Sequence, residues 1–160
     1  MEITKDTFMD ILGLPEWDDR VIAVLKQLEL EKPVVKEGEV YAYLSSKKYG
    51  IDLMFDYDCI TPEQKEMEEN ANLYLSQVSF IEETPLPLPF GIVLGDCYNT
   101  IVEKIGKTTD TEEKYLDDSC EWELLINNTP FSLYCIFKSE KLDSLKSIWM
   151  RVQLPLSDLK

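Results

Sequence analysis

The stretch VYAYLSSKKYGIDLMFDY, residues 40–57, decides the fold because it holds two alternating runs around a turn. In the first run, apolar residues at positions 40, 42 and 44 alternate with Tyr41 and Tyr43. A turn-like SSKKYG follows, and apolar side chains then recur at every second position from 51 to 57. A period of two is typical of strands that bury one face. The stretch therefore predicts a hairpin or meander with Tyr41 and Tyr43 on the face opposite the core.

An amphipathic helix precedes this hairpin, and a further strand follows it. Between Trp17 and Glu31 the apolar residues recur at helical spacing, with Asp18 suited to an N-cap and Pro33 stopping the pattern. A charged stretch separates the hairpin from LYLSQVSFI, residues 73–81, which alternates as a strand does. The first half therefore predicts the order helix, strand, strand, loop, strand.

The second half repeats this pattern at a uniform shift of 80 residues. The shift pairs apolar positions without a gap: Val21, Ile22 and Leu25 with Ile101, Val102 and Ile105; Val40, Ala42 and Leu44 with Cys120, Trp122 and Leu124; Leu53 and Phe55 with Leu133 and Cys135. A last strand, residues 147–154, follows a shorter loop. Few letters are identical, so the repeat is one of pattern. We expect an α+β fold of two pseudo-repeated units, residues 1–84 and 85–160, each a helix packed on a small antiparallel sheet, in one compact protein.

The segment PLPLPFGIVLGD, residues 85–96, joins the two predicted units. Large apolar residues recur at every second position from Leu86 to Leu94, unlike a flexible linker rich in glycine and serine. Proline cannot donate to a sheet ladder, but its neighbours can still be buried. We expect an edge strand or extended lead into the second unit, with Gly95 and Asp96 capping its helix.

The chain is strongly acidic, with 31 acidic and 16 basic residues among 160 and a formal net charge of −15. Such a field repels nucleic acid and anionic membrane surfaces, because binding to phosphates depends on lysine and arginine. A basic protein is the natural complement, although acidity can also serve solubility alone. No basic leader with an apolar run opens the chain, and no eighteen apolar residues occur in succession. We expect a soluble, cytoplasmic protein that binds neither nucleic acid nor membrane.

The sequence has no histidine, which removes the commonest general base and the commonest metal ligand. Triad hydrolases do not fit, and neither a GxGxxG segment nor a phosphate loop occurs. The carboxylates around Asp56 and Asp117 lack the spacing of a calcium loop, and the four cysteines form no CxxC pair. We therefore expect no enzyme activity, no cofactor, no metal and no disulfide framework.

Two acidic clusters account for most of the charge. Residues 56–69 hold six carboxylates and one lysine, and residues 110–123 hold seven carboxylates and one lysine. These clusters are either solvated loops or surfaces that pair with the lysines and arginines of a cationic enzyme. Tyrosines suit interface anchors, whereas Trp122 and Trp149 sit among apolar strand positions and are expected in the core. The predicted partner-binding residues are Asp56, Asp58, Glu63, Glu66, Glu68, Glu69, Asp110, Glu112, Glu113, Asp117, Asp118, Tyr41, Tyr43 and Tyr115.

Several stretches resemble the small bacterial immunity-type proteins of polymorphic and contact-dependent toxin systems. These stretches are ILGLPEWDDRVIAVLKQL, YAYLSSKKYGIDLMFDY, LPLPFGIVLGDCYNTIVEKIGKT and the later Trp122. The resemblance is most specific from Leu88 to Lys107. Within this range, Asp96 or Cys97 occupies the position where those proteins usually have a serine. The half-repeat also looks like the helix-plus-sheet unit of the tandem β-lactamase inhibitor proteins, a likeness of fold alone.

The resemblance implies an immunity protein that binds a cognate bacterial toxin and neutralises it by occluding its active site. The charge of the chain favours a cationic target, such as a nuclease or another effector that acts on nucleic acid. Two alternatives remain open. One is an acidic adaptor or chaperone-like module that binds several partners at modest affinity. The other is a carboxylate-dependent enzyme, which would need two acids converging in a pocket.

Overall fold

A computed structural model describes residues 2–57, 73–106, 118–126 and 129–152. Its helices are α1 (Thr7–Ile11), α2 (Asp19–Gln27) and α3 (Tyr98–Ile105), and a 3₁₀ turn spans Pro89–Gly91. Its strands are β1 (Tyr41–Ser46), β2 (Ile51–Tyr57), β3 (Leu73–Phe80), β4 (Ser119–Ile126), β5 (Thr129–Phe137) and β6 (Leu145–Val152).

The described strands form one six-stranded antiparallel sheet in the order β1-β2-β3-β6-β5-β4. β1 to β3 make one meander and β4 to β6 make another, and β3 pairs with β6 through positions such as Val78 opposite Met150. The predicted α+β class is confirmed. The expectation of a separate small sheet in each half is wrong, because the inner edges of the two meanders pair with each other and leave one continuous sheet.

The hairpin predicted at residues 40–57 is confirmed, with Ala42 opposite Phe55 and Leu44 opposite Leu53. Its turn ends at Gly50, whose φ of +60° favours glycine. A Cβ on Gly50 would lie 2.7 Å from the Cα of Thr84, so the turn also needs glycine for space.

The core lies between one face of the sheet and the helices. Ring contacts connect the layers: Phe8 of α1 meets Phe80 of β3 edge-on at 5.4 Å, and Tyr98 of α3 lies 6.1 Å from Trp122 of β4. The Trp122 side chain is fully buried, and its Nε1 donates a hydrogen bond of 3.0 Å to the Gly106 carbonyl at the end of α3. We call this helix-covered side the buried face of the sheet.

The N-terminal helix signals behave as predicted. The Asp18 carboxylate accepts a 2.9 Å hydrogen bond from the Arg20 backbone N–H and so caps α2. Val21 and Val24 are each 1% exposed and face the core. Helical periodicity thus places the apolar stripe of α2 against the sheet.

The segment 85–96 was expected to be an edge strand or an extended lead into the second helix; it forms no strand and is extended only in part. A 3₁₀ turn interrupts it, and Phe90 adopts a φ of +61°, so the run cannot extend along a sheet edge. Leu88 and Ile92 are nevertheless buried, as the apolar pattern required. The predicted cap is also wrong: Cys97 is the N-cap of α3, and the Asp96 carboxylate instead accepts a 2.7 Å hydrogen bond from Lys104 Nζ.

Candidate partner-binding face

The sheet face opposite the helices carries two complete cross-strand rows of side chains. The first row is Tyr43, Met54, Gln77, Arg151, Ser132 and Glu123. The second row is Ser45, Asp52, Ser79, Trp149, Tyr134 and Glu121. We call this surface the second face. Because neighbouring strands lie about 4.8 Å apart, each row spans roughly 24 Å, which suits an interface with another protein.

Two stacked aromatic rings occupy the interior of the second face. The centroids of the Tyr134 and Trp149 rings lie 3.6 Å apart, with their planes 14° from parallel. The prediction that Trp149 lies in the core is wrong. Its neighbours Ile148 and Met150 are buried on the helix side, so the period of two turns the Trp149 ring to the opposite face, where it is half-buried.

Tyr43 is the most exposed aromatic residue in the rows, at 52%. Partial burial and a hydrogen bond with the Asp52 carboxylate together raise the pKa of Tyr43 to about 12. The same carboxylate accepts a 2.6 Å hydrogen bond from the Ser45 hydroxyl. Asp52 is therefore held by two neighbours on β1, and the Tyr43 phenol stays protonated at neutral pH.

Asp56 lies at the end of the second face next to Tyr41, its partner in register on β1. The Ser76 hydroxyl donates to the Asp56 carboxylate and lies 3.1 Å from the Met54 carbonyl. A register shift in the pairing of β2 with β3, between Met54 and Phe55, accompanies this contact. The bulge turns Ser76 toward Asp56 and orients the carboxylate.

The charge of the described part of the second face is negative. Asp52, Asp56, Glu121 and Glu123 contribute carboxylates, against the single guanidinium of Arg151. The acids lie toward both outer strand pairs, and the aromatic pair lies between them. The aromatic rings thus lie between two strands that carry carboxylates, and Arg151 lies on the same strand as Trp149.

The structure brings together only part of the predicted partner-binding set. Tyr41, Tyr43 and Asp56 share the second face. Asp118 lies just before β4, half-buried, with its carbonyl accepting from the Phe137 N–H at 2.8 Å. The other predicted residues lie outside the described residues: Asp58, Glu63, Glu66, Glu68, Glu69, Asp110, Glu112, Glu113, Asp117 and Tyr115.

The described residues next to the two acidic clusters lie at opposite ends of the sheet. Tyr57 and Leu73, which stand on either side of positions 58–72 in the chain, pair with each other at one end. Asp118 precedes Ser119, which lies opposite Ile136 toward the other end. The second face lies between these two ends.

The predicted set omits most of the second face, including three of its acids and its aromatic pair: Asp52, Glu121, Glu123, Tyr134 and Trp149. The signal that identifies them is the alternation of side chains between the two faces of a strand. Once Cys120 and Trp122 are assigned to the core, their alternate neighbours must face the other way. The prediction instead selected acidic residues by local charge density, which is highest in the two acidic clusters.

A groove of about 310 Å³ lies between α1 and α2. It bears on the enzyme alternative, which needs two acids converging in a pocket. Asp10 and Asp19 both line the groove, together with Arg20. The Arg20 guanidinium, however, forms two hydrogen bonds of 3.0 and 2.9 Å with Asp18, which lower the pKa of the Asp18 carboxyl. Within the described ranges, no three histidine, cysteine, aspartate or glutamate side chains gather as a metal site would require.

In the part of the chain that the structure describes, no helix is long and apolar enough to cross a membrane. No family model, no curated protein and no solved structure matches this chain. The resemblance to immunity-type proteins therefore stays a prediction, carried by the residues alone.

Proposed function

We propose that this protein is a cytoplasmic immunity protein that binds a cognate toxin domain through the second face and blocks its active site without catalysing a reaction. The observation that supports this proposal best is the stacked pair Tyr134 and Trp149, with carboxylates on the adjacent strand β4 and on β2, two strands away on the other side. Electrostatics favour a cationic effector that acts on nucleic acid as the target.

The aromatic pair has the properties of a binding hot spot. Tryptophan and tyrosine are enriched among the residues that dominate interface energies, especially where a polar rim excludes water from them. The stack also restricts the Trp149 ring before a partner arrives, which lowers the entropy lost on binding. A rigid sheet thus offers a preformed anchor at the middle of the second face.

The carboxylates supply specificity and speed. A toxin that acts on a polyanion lines its substrate site with lysine and arginine, so an acidic inhibitor is attracted to the same site. Asp52 and Asp56 are held in place by hydrogen bonds on the sheet. With a net charge of −15, long-range attraction to a cationic domain should raise the association rate at low salt.

We also propose that the two halves are pseudo-repeated units that share one sheet. Support comes from the segments that precede α2 and α3, which bond to the third strand of their own half. Leu75 N–H donates to the Leu14 carbonyl at 2.9 Å, and Gly95 N–H donates to the Leu145 carbonyl at 2.9 Å. Under this arrangement each half contributes two carboxylates to the second face.

The experiment that tests the immunity proposal is a growth assay in bacteria. Where a large secreted protein is encoded next to the gene, the full chain is co-expressed with the C-terminal domain of that protein, and survival is scored. The charge-reversed double variant Glu121→Lys/Glu123→Lys should lose protection. The matched control Glu31→Lys/Glu103→Lys changes net charge equally at exposed positions outside the sheet and should protect fully.

Three outcomes would overturn the proposal or part of it. The immunity function fails if the neighbouring domain is harmless or the wild-type chain gives no protection. The assignment of the second face fails if both double variants protect equally. Micromolar affinity for several unrelated partners would favour the adaptor alternative, since an immunity protein binds one target very tightly.

A further inference from the structure

An apolar groove of about 460 Å³ runs along α2, on the helix side of the sheet. Its lining includes the apolar residues Trp17, Ile22, Leu25 and Leu30 and three charged side chains. The volume falls in the range of pockets that hold small ligands. Trp17 is 62% exposed and Ile22 is 49% exposed, so the apolar wall is open to solvent. The groove belongs neither to the second face nor to any predicted site.

Local backbone geometry creates this groove. α2 turns its buried residues to the sheet, which leaves Ile22 and Lys26 on its outer side. Glu29 then adopts a φ of +59°, and Leu30 N–H donates to the Leu25 carbonyl at 2.9 Å, as in a Schellman motif. The chain reverses there, so Leu30 and the residues after it form the opposite wall.

Two cationic groups distinguish the groove from an ordinary apolar patch. Lys26 and Lys32 line it, and neither ammonium group makes an ion pair with a described residue. Arg20, Lys48 and Lys104, by contrast, are each held by a carboxylate. In a protein with a net charge of −15, two uncompensated lysines beside an apolar groove favour an anionic ligand with an apolar body.

We propose that the groove binds a small amphiphile, a molecule with an apolar chain and a carboxylate head. The chain packs against Trp17, Ile22 and Leu25, and the carboxylate pairs with Lys26 and Lys32. This site is independent of the proposed immunity function, because it lies on the helix side of the sheet and uses none of the residues of the second face.

Glu16 makes the proposal more specific. It also lines the groove, and its Oε2 is buried without a hydrogen-bond partner. A carboxylate there repels an anion, so the head of the ligand must lie at the lysines and away from Glu16. Replacing Glu16 with glutamine should therefore tighten the binding of an anionic amphiphile and weaken that of a cationic one.

The test is an NMR titration of the full-length, ¹⁵N-labelled chain with octanoate, octanol and octylamine, each below its micelle-forming concentration. The reporter is the Trp17 indole N–H, assigned with the variant Trp17→Phe. Octanoate should bind roughly tenfold more tightly than octanol, because a charge-assisted pair adds to the same apolar burial. Each methylene added between hexanoate and octanoate should tighten binding by up to about fourfold if it is fully buried.

A matched pair of variants separates specific pairing from general charge. Lys26→Gln/Lys32→Gln should weaken octanoate binding about tenfold and leave octanol unchanged. Lys138→Gln/Lys141→Gln removes two lysines between β5 and β6 and should leave octanoate affinity unaltered. Equal binding of the three probes, preference for octylamine, an unmoved Trp17 signal, or equal loss in both double variants would overturn the proposal.

Discussion

The two faces of the sheet are built from the same strands and each carries a tryptophan, yet the two tryptophans lie in different environments. Trp122 on the buried face has no solvent exposure and reaches a backbone carbonyl at the end of α3. Trp149 on the second face is half-buried and stacks on Tyr134. The difference is set by the parity of each position and by the helices that cover one face only. Residue type alone therefore does not tell whether a tryptophan stabilises the fold or is available to a partner.

The comparison is sharpest in folding stability. Trp122→Ala should lower the free energy of unfolding by about 3–5 kcal/mol, because it removes a large buried ring and leaves the Gly106 carbonyl without its donor. Trp149→Ala should cost clearly less, since its ring is only half-buried and loses mainly the stack. Urea denaturation of both variants measures the difference. Equal losses of unfolding free energy would mean that the second face contributes as much to stability as the buried face.

Partner binding should show the reverse order. Trp149→Ala is expected to weaken the complex with the toxin domain by about 2 kcal/mol or more, as at other aromatic hot spots. The control Trp17→Ala removes an exposed tryptophan from the helix side and should leave affinity unchanged. Calorimetric titration of the wild type and the two variants checks this. A loss of affinity in the Trp17 variant alone would place the interface on the helices.

Thiol reactivity probes whether the buried face opens. Burial raises the pKa of Cys135 on β5, whereas hydrogen bonds from Thr100 lower the pKa of the partly exposed Cys97. Iodoacetamide at pH 8 should therefore modify Cys97 at least about tenfold faster than Cys135, because the thiolate is the reactive form. Peptide mapping by mass spectrometry follows each cysteine separately. Similar rates would show that the buried face opens readily.

The smallest expected effect is on the titration of the Tyr43 phenol, which lies on the second face. Its pKa is raised from 10.0 to about 12, first by partial burial and then by the bond with Asp52. The folded-state pKa exceeds the unfolded value, so the stability that depends on the neutral phenol is complete below pH 10 and is lost as the pH rises through about 12. Ultraviolet titration of phenolate formation should show this late midpoint. Asp52→Asn should lower it, and an unchanged midpoint would exclude the contact with Asp52.

Much of the local structure was predictable from the sequence. The alternation in residues 40–57 and 120–124 identified strands, and Asp18 marked the start of α2. These signals depend on residues near one another in the chain, where periodicity and capping chemistry act directly. The segment 85–96 was predicted less well, because alternate prolines gave it the period of a strand while Phe90 at positive φ turned it into a 3₁₀ bend.

The candidate site was predictable only in part, since charge density marks acidic residues but not the surface they share. Tyr41, Tyr43 and Asp56 were in the predicted set for separate reasons, and the structure places them together on one face. Trp149 was assigned to the core from the apolar character of its sequence neighbours, although the alternation along its strand turns it to the other face.

By itself the sequence determined the α+β class, most of the buried positions of β2, the cap of α2 and the acidic character of the whole molecule. Only the tertiary structure decided that β3 and β6 pair, which joins two meanders into one sheet and brings Trp149 beside Ser79. The physical reason is the separation along the chain over which each interaction acts. Propensity, periodicity and capping act over a few residues, whereas the pairing of two strand edges joins residues some seventy positions apart and depends on the packing of the whole core.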